Sequence, residues 1–262
     1  MSEIEFQSIK SAGFVIALLL SVGVQAWRPH GGLHGSWGVN CSIWLLNAVL
    51  LGLVCAGCAC TAARWAGVEG FGALNAAGAP LWPAIPATVL GLDLVSYAWH
   101  RANHVIPFLW RFHRAHHSDR TFTVTTALRF HPGELLMALP LRLFAIIALG
   151  VPIVGVISFE LVFAFANLFE HGDIDLPRPL ERALGRIFIT PALHRRHHGQ
   201  QRSLRDSNYG TIFSFWDRLF GSFGASDSDA QVSIGLPGLQ SALGPGAVLA
   251  MPVRWEAGPD RR

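Results

Sequence analysis

His100-Arg101-Ala102-Asn103-His104 is followed, after eight residues, by His113-Arg114-Ala115-His116-His117, and a near copy returns as His194-Arg195-Arg196-His197-His198. Five of the twelve histidines of the chain fall within residues 100–117. On a helix, positions i, i+3 and i+4 share one face, with Cβ atoms roughly 5–6 Å apart. His100 and His104 form such a pair. His113, His116 and His117 form a triplet, and His194, His197 and His198 another. A lone histidine is usually a satisfied surface or core residue. Three clusters at ligand spacing present eight imidazoles that can surround metal.

The remainder of the chain says where that metal would sit. Of 262 residues, 51% are hydrophobic and only 14% are charged, against about 25% charged in soluble domains. The mean hydropathy is +0.38, and the composition is that of a membrane protein. A net charge of +3 comes from one lysine, Lys10, and nineteen arginines. The aromatic and basic stripe of a nucleic-acid binder is missing, so no nucleic-acid partner is expected. Cys41, Cys55, Cys58 and Cys60 all lie in one apolar segment and read as small apolar helix residues. Near-absence of lysine beside abundant alanine, glycine and arginine points to a GC-rich bacterial source, hence a plasma membrane.

Residues 11–27 are apolar and uncharged, read as a retained helix rather than a cleaved leader because Lys10 alone precedes them. Residues 39–63 form a stronger span, long enough for a hydrocarbon core of roughly 30 Å. Residues 81–99 give a third, interrupted early by Pro83 and Pro86. His30 and His34 lie among glycines between spans and read as loop histidines. From His100 to His131 the chain turns polar, which places it in water or at the interface. Residues 134–169 are apolar again, split by Gly150-Val151-Pro152 into a hairpin that dips into the bilayer and returns. Residues 213–220 are amphipathic and suit the membrane surface.

The hairpin brings the chain back to the side it left, so ten histidines converge on one membrane face: His100, His104, His113, His116, His117, His131, His171, His194, His197 and His198. Most arginines share that face, which the positive-inside bias makes cytoplasmic. The fold expected is all-α: an integral membrane helical bundle of about four spans or hairpin helices with a cytoplasmic histidine-rich helical cap. Neutral imidazole suits zinc, copper, iron and nickel. A structural zinc takes about four ligands, so this set exceeds one metal and suggests two. Zinc would serve hydrolysis, and iron with open positions would activate oxygen. A metal transporter would place its ligands near the bilayer midplane, whereas these lie at helix ends on one face.

The order HxxxH, HxxHH, His131-Pro132-Gly133-Glu134, a lone His171 after a hydrophobic hairpin, then HxxHH resembles the fatty acid hydroxylase/sterol desaturase superfamily of membrane di-iron enzymes. Ser207-Asn208-Tyr209-Gly210 and Asp217-Arg218-Leu219-Phe220-Gly221 are similar to that family's closing segment. The likeness covers roughly residues 90–224. It implies a non-haem di-iron centre held by the eight clustered histidines, with His171 and His131 as further ligands. It implies O2 as co-substrate, a hydroxylated or desaturated lipid as product, and electrons from outside. On it the chain divides into N-terminal membrane helices (1–80), a catalytic domain (81–224) and a peripheral tail (225–262).

Asp93, Tyr97, His100 and His104 lie on one helical stripe, and Asp93 is an ionisable residue near the end of a span. It is expected to accept a hydrogen bond from a ligand imidazole and fix its tautomer. Asn208, Asp173 and Asp175 are weaker candidates for the same task. The chain has no GxGxxG after a strand and no cysteine set for an iron–sulfur cluster. Electrons are therefore expected from a ferredoxin- or cytochrome-type protein docking on the arginine-rich face.

Overall fold

The computed structural model describes residues 2–31, 35–55, 57–225 and 232–254; His34 lies outside them. The helices among these residues are α1 (Glu3–Trp27), α2 (Trp37–Cys55), α3 (Cys58–Val68), α4 (Ala73–Ala76), α5 (Leu81–Val105), α6 (Pro107–His117), α7 (Pro132–Leu149), α8 (Ile153–Glu170), α9 (Arg178–Leu184), α10 (Pro191–His197), α11 (Arg202–Arg205), α12 (Phe215–Leu219) and α13 (Pro245–Ala250). A 3₁₀ turn, Val124–Leu128, joins α6 to α7. Isolated bridges are the only β pairing among the described residues. The protein is an all-α membrane bundle. Five helical runs are long and apolar enough to cross a bilayer.

Those runs are arranged so that one end of each reaches the histidine layer. The α1 terminus does so through Gln25, whose side chain accepts from the Val124 and Asp173 amides. The start of α2 does so through Asn40, which donates to Asp119. His100 and His104 end α5, Glu134 opens α7, and Glu170 with His171 closes α8. At the far end, Gly150 (φ +66°) caps α7 and turns the chain into α8. Gly72 (φ +97°) abuts it, and a Cβ on Gly72 would collide with the Gly150 backbone. The turn thus depends on glycine twice over.

Four expectations change on meeting the structure. The run 39–63 is not one helix: it stops after Cys55 and restarts at Cys58 beyond Gly57, which adopts φ +76°. Pro83 and Pro86 do not interrupt α5, which runs unbroken from Leu81 to Val105. Pro83 falls in the first turn, where its missing N–H costs no helix hydrogen bond. The polar stretch after His117, expected in water or at the interface, is packed inside the protein. Thr123, Thr125, Thr126 and Arg129 are buried because their groups satisfy one another and Asp119. Arg129, 1% exposed, donates to the Ala115 carbonyl, the Ser118 hydroxyl and the Asn40 amide oxygen.

Finally, residues 232–254 of the expected peripheral tail pack against the bundle. Leu236, Val248 and Met251 are buried with Ile43 of α2 and Trp110 of α6, two apolar side chains that need a cover. Within the apolar layer, Glu160 of α8 pairs with Arg142 of α7 at 2.9 Å and with Lys10 of α1 at 3.2 Å. This accounts for three of the few charges in that layer.

Candidate metal centre

Nine of the ten histidines converge in two adjoining groups. His100, His104, His113, His117 and His197 form one, and His116, His171, His194 and His198 the other; within each, one ring nitrogen per residue lies within 4.8 Å of all the others. Helical periodicity explains the partition. The i, i+4 pairs His100/His104, His113/His117 and His194/His198 each stay within one group. His116 and His197 are one residue out of phase with the partners beside them, and each goes to the other group. Each HxxHH box therefore contributes to both groups and holds them side by side, with His117 and His198 rings 4.4 Å apart at their shared edge.

Hydrogen bonds set the direction of these rings. His100 Nδ1 donates to the Tyr209 carbonyl at 2.8 Å, His197 Nδ1 to the Ser207 carbonyl at 2.7 Å, and His171 Nδ1 to the Asn167 carbonyl at 2.6 Å. A carbonyl only accepts, so Nδ1 carries the proton and Nε2 is left with a lone pair. His113 Nδ1 is held at 2.8 Å by the Glu134 carboxylate, which also accepts from Asn103 at 3.1 Å. All five Nε2 atoms of the first group are buried with no hydrogen-bond partner. In the second, His171 Nε2 lies 3.0 Å from His116 Nε2 and 2.9 Å from His194 Nε2, and His198 Nε2 lies 3.2 Å from His194 Nε2.

Nine inward-facing ring nitrogens without ordinary donors would be costly, since each orphaned buried polar atom costs about 1–3 kcal/mol. A cation at the centre of each group would satisfy them, and all-imidazole donors suit borderline transition metals. Burial drives the His171 and His197 rings down to about 3. Burial, reinforced by neighbouring imidazoles, holds His116, His117, His194 and His198 well below the ordinary histidine range. These six rings are therefore neutral at physiological pH, as ligation requires. The residues fit a pair of metal ions.

Three expected site residues lie elsewhere. His131 is the N-cap of α7: its Nδ1 accepts from the Gly133 amide at 3.0 Å and its Nε2 faces the Leu249 carbonyl at 3.1 Å, outside both groups. The following Pro132 and Gly133 turn it onto its own helix start. Asp93 has no imidazole among its hydrogen-bond partners in the described residues. It accepts from the Ile212 and Phe213 amides, both at 3.2 Å, and from Trp216 Nε1 at 2.9 Å, so it anchors the closing segment. The Asn208 side chain bonds the Leu193 and Gly224 carbonyls and the Gly224 amide. Its part is played by the backbone: with φ +56°, it turns the chain so that the carbonyls on either side, Ser207 and Tyr209, each receive a ligand ring.

Asp173 pairs with Arg195 at 3.3 Å and accepts from the Gly31 amide, and the Asp175 amide donates to Arg28, so both are loop anchors. Glu134 was missed as an imidazole partner. No local spacing links it to His113, 21 residues away, and its place after Pro132 suggests only a helix-dipole role.

Apolar spans roofed by a double nest of buried imidazoles define the class: an integral membrane bundle with a candidate dinuclear metal centre. The family model for fatty acid hydroxylase matches residues 85–222, more than half of the chain, and the protein belongs to that family. It is 35% identical over 175 residues to an ornithine lipid hydroxylase of Rhizobium tropici, covering 65% of this chain and 51% of the relative. It is 33% identical to the alkylglycerol monooxygenase of Homo sapiens over 53% of this chain and 30% of that one. With the lathosterol oxidase of Mus musculus it shares 30% identity over 50% of this chain and 42% of the relative. The chain thus spans about half or less of the relatives it matches. No solved structure matches it.

Proposed function

We propose that this protein is an oxidoreductase of the membrane, a lipid hydroxylase that uses a non-haem di-iron centre and O2. The observation that carries the reading is the convergence of nine imidazoles, eight of them buried, with ring nitrogens free of ordinary partners, at the ends of apolar spans. The names of the relatives, hydroxylase, monooxygenase and oxidase, support the reaction class and a lipid substrate.

Iron bound there supplies O2 activation for insertion of one oxygen into a lipid C–H bond. The chain supplies the rest. His100, His104, His113, His117 and His197 would hold one ion, and His116, His171, His194 and His198 the other. The Ser207, Tyr209 and Asn167 carbonyls and Glu134 keep Nδ1 protons away from the metal side. Burial of eight of the nine rings excludes bulk water, and the spans deliver substrate from the bilayer. Electrons would come from a ferredoxin- or cytochrome-type carrier, for which the arginine-rich cap, proposed to be cytoplasmic in a bacterial plasma membrane, is suitably charged.

The test is metal analysis after anaerobic purification, with lipid profiling of cells with and without the protein. A pair of irons per chain and a lipid heavier by one oxygen are expected. A product lighter by two hydrogens would make it a desaturase on the same site. One zinc per chain with O2-independent turnover would falsify the oxygenase reading in favour of a hydrolase. His116→Ala and His197→Ala should each abolish product and lower iron content, and full activity in either would refute a shared site.

A further inference from the structure

The chain contains two tyrosines in 262 residues, and both lie beside the histidine nest. The Tyr209 ring, 3% exposed, sits 5.1 Å from His104, 5.7 Å from His197 and 5.8 Å from His100 by centroid. The Tyr97 ring, also 3% exposed, meets Tyr209 edge-on at 6.4 Å. Its outer side stacks on Phe220 at 5.4 Å and lines a surface groove of about 390 Å³ with Arg101, Leu94, Val105 and Ile106. An aromatic path therefore leads from the nest to the surface in two steps.

The Tyr97 hydroxyl sits in a hydrogen-bond chain whose direction is fixed. Arg101 can only donate, and does so to the Tyr97 oxygen at 3.3 Å. Tyr97 then donates to Ser222 Oγ at 2.8 Å, and Ser222 donates to Asp217 Oδ1 at 2.7 Å. Asp217, fully buried, also accepts from the Tyr209 and Gly210 amides. Its burial raises the carboxyl above its ordinary range, so it takes up a proton more readily. Trp110, the indole that packs on His104 of the five-histidine group, carries the Arg205 guanidinium 4.9 Å above its ring. A cation there opposes loss of an electron from the indole.

The geometry points to Tyr97 as a one-electron relay that drains oxidising equivalents from the metal pair, through Tyr209, when no lipid is present to consume them. This rests on the di-iron reading. One electron leaves Tyr97 and reduces the oxidised iron pair by one. The phenolic O–H breaks, its proton passes to Ser222, and the Ser222 proton passes to Asp217. The result is a neutral tyrosyl radical and a neutral carboxylic acid. A one-electron reductant in the groove returns the electron, and the proton moves back along the same chain. The oxidising equivalent is hydrogen peroxide or O2 reacting at iron.

The experiment mixes iron-loaded, substrate-free protein in detergent with hydrogen peroxide, freezes it within milliseconds and reads electron paramagnetic resonance. Wild type should give a tyrosyl radical. Tyr97→Phe and Ser222→Ala should each give roughly tenfold less at unchanged iron content, and Tyr97→Phe should accumulate oxidised histidine by mass spectrometry. An undiminished signal in Tyr97→Phe, a tryptophan signature in wild type, or no radical in an iron-replete protein that consumes peroxide overturns the relay alone. A chain that takes up no iron refutes the metal reading and the relay with it.

Discussion

At the scale of single residues, the nine converging histidines were legible, His131 was misplaced among them, and the groups that orient the rings were not legible. Histidine carries the same two ring nitrogens wherever it lies on the chain, and i, i+4 spacing is visible in one dimension. The partners that aim the rings are a carboxylate 21 residues distant and three backbone carbonyls, which leave no residue-type signal. Glu134 is the testable case. Glu134→Ala removes the acceptor for His113 Nδ1 and for Asn103, and loss of such partners lowers metal affinity by roughly 10–100-fold. Titration of the metal-free protein with Fe(II) or Co(II) should show that drop, with Glu134→Gln retaining part of it as a neutral acceptor. Asp93→Asn should behave differently. The asparagine keeps one acceptor oxygen for three donors, so stability should fall by about 1–3 kcal/mol, read as a lower denaturation midpoint in detergent before any change in metal content.

At the scale of elements, the apolar runs gave away the spans, and the Gly150-Val151-Pro152 break gave away the hairpin. The break at Gly57 was hidden because residues on both sides are equally apolar, and only the left-handed glycine backbone reveals it. Glu160, Arg142 and Lys10 stand far apart in the sequence, whereas packing makes them one ion cluster joining α8, α7 and α1. Glu160→Ala would leave two cations facing apolar neighbours. Breaking a buried pair costs about 3–5 kcal/mol. Arg142 is a third exposed and Lys10 nearly half exposed, so the expected loss is nearer about 1–3 kcal/mol. Thermal unfolding in detergent measures it. A double change, Glu160→Leu with Arg142→Leu, should recover most of it, because an apolar pair needs no partner in that layer.

At the scale of the whole molecule, the bundle serves to bury a basic cluster that water would protonate, which gives the protein a distinctive acid response. In the unfolded chain a histidine titrates near 6.5. In the fold, burial holds His171 and His197 down to about 3. Above the unfolded value both states are neutral, and stability is independent of pH. Below it, the unfolded chain binds protons that the buried rings refuse, so stability falls as pH drops, by about 1.4 kcal/mol per unit for each such ring. The loss continues until the folded rings themselves protonate near 3. Chelator-treated protein should therefore show a flat denaturation midpoint between pH 8 and 7 and a steep decline from there to pH 5. His197→Asn cannot titrate and should make that decline shallower by one ring's share. Added Fe(II) should raise the midpoint at pH 7 and lose its effect on acidification, because protons and metal compete for the same lone pairs. A midpoint that stays level down to pH 5 would mean that the rings are reached by water, and that the nest is not the closed pocket the packing describes.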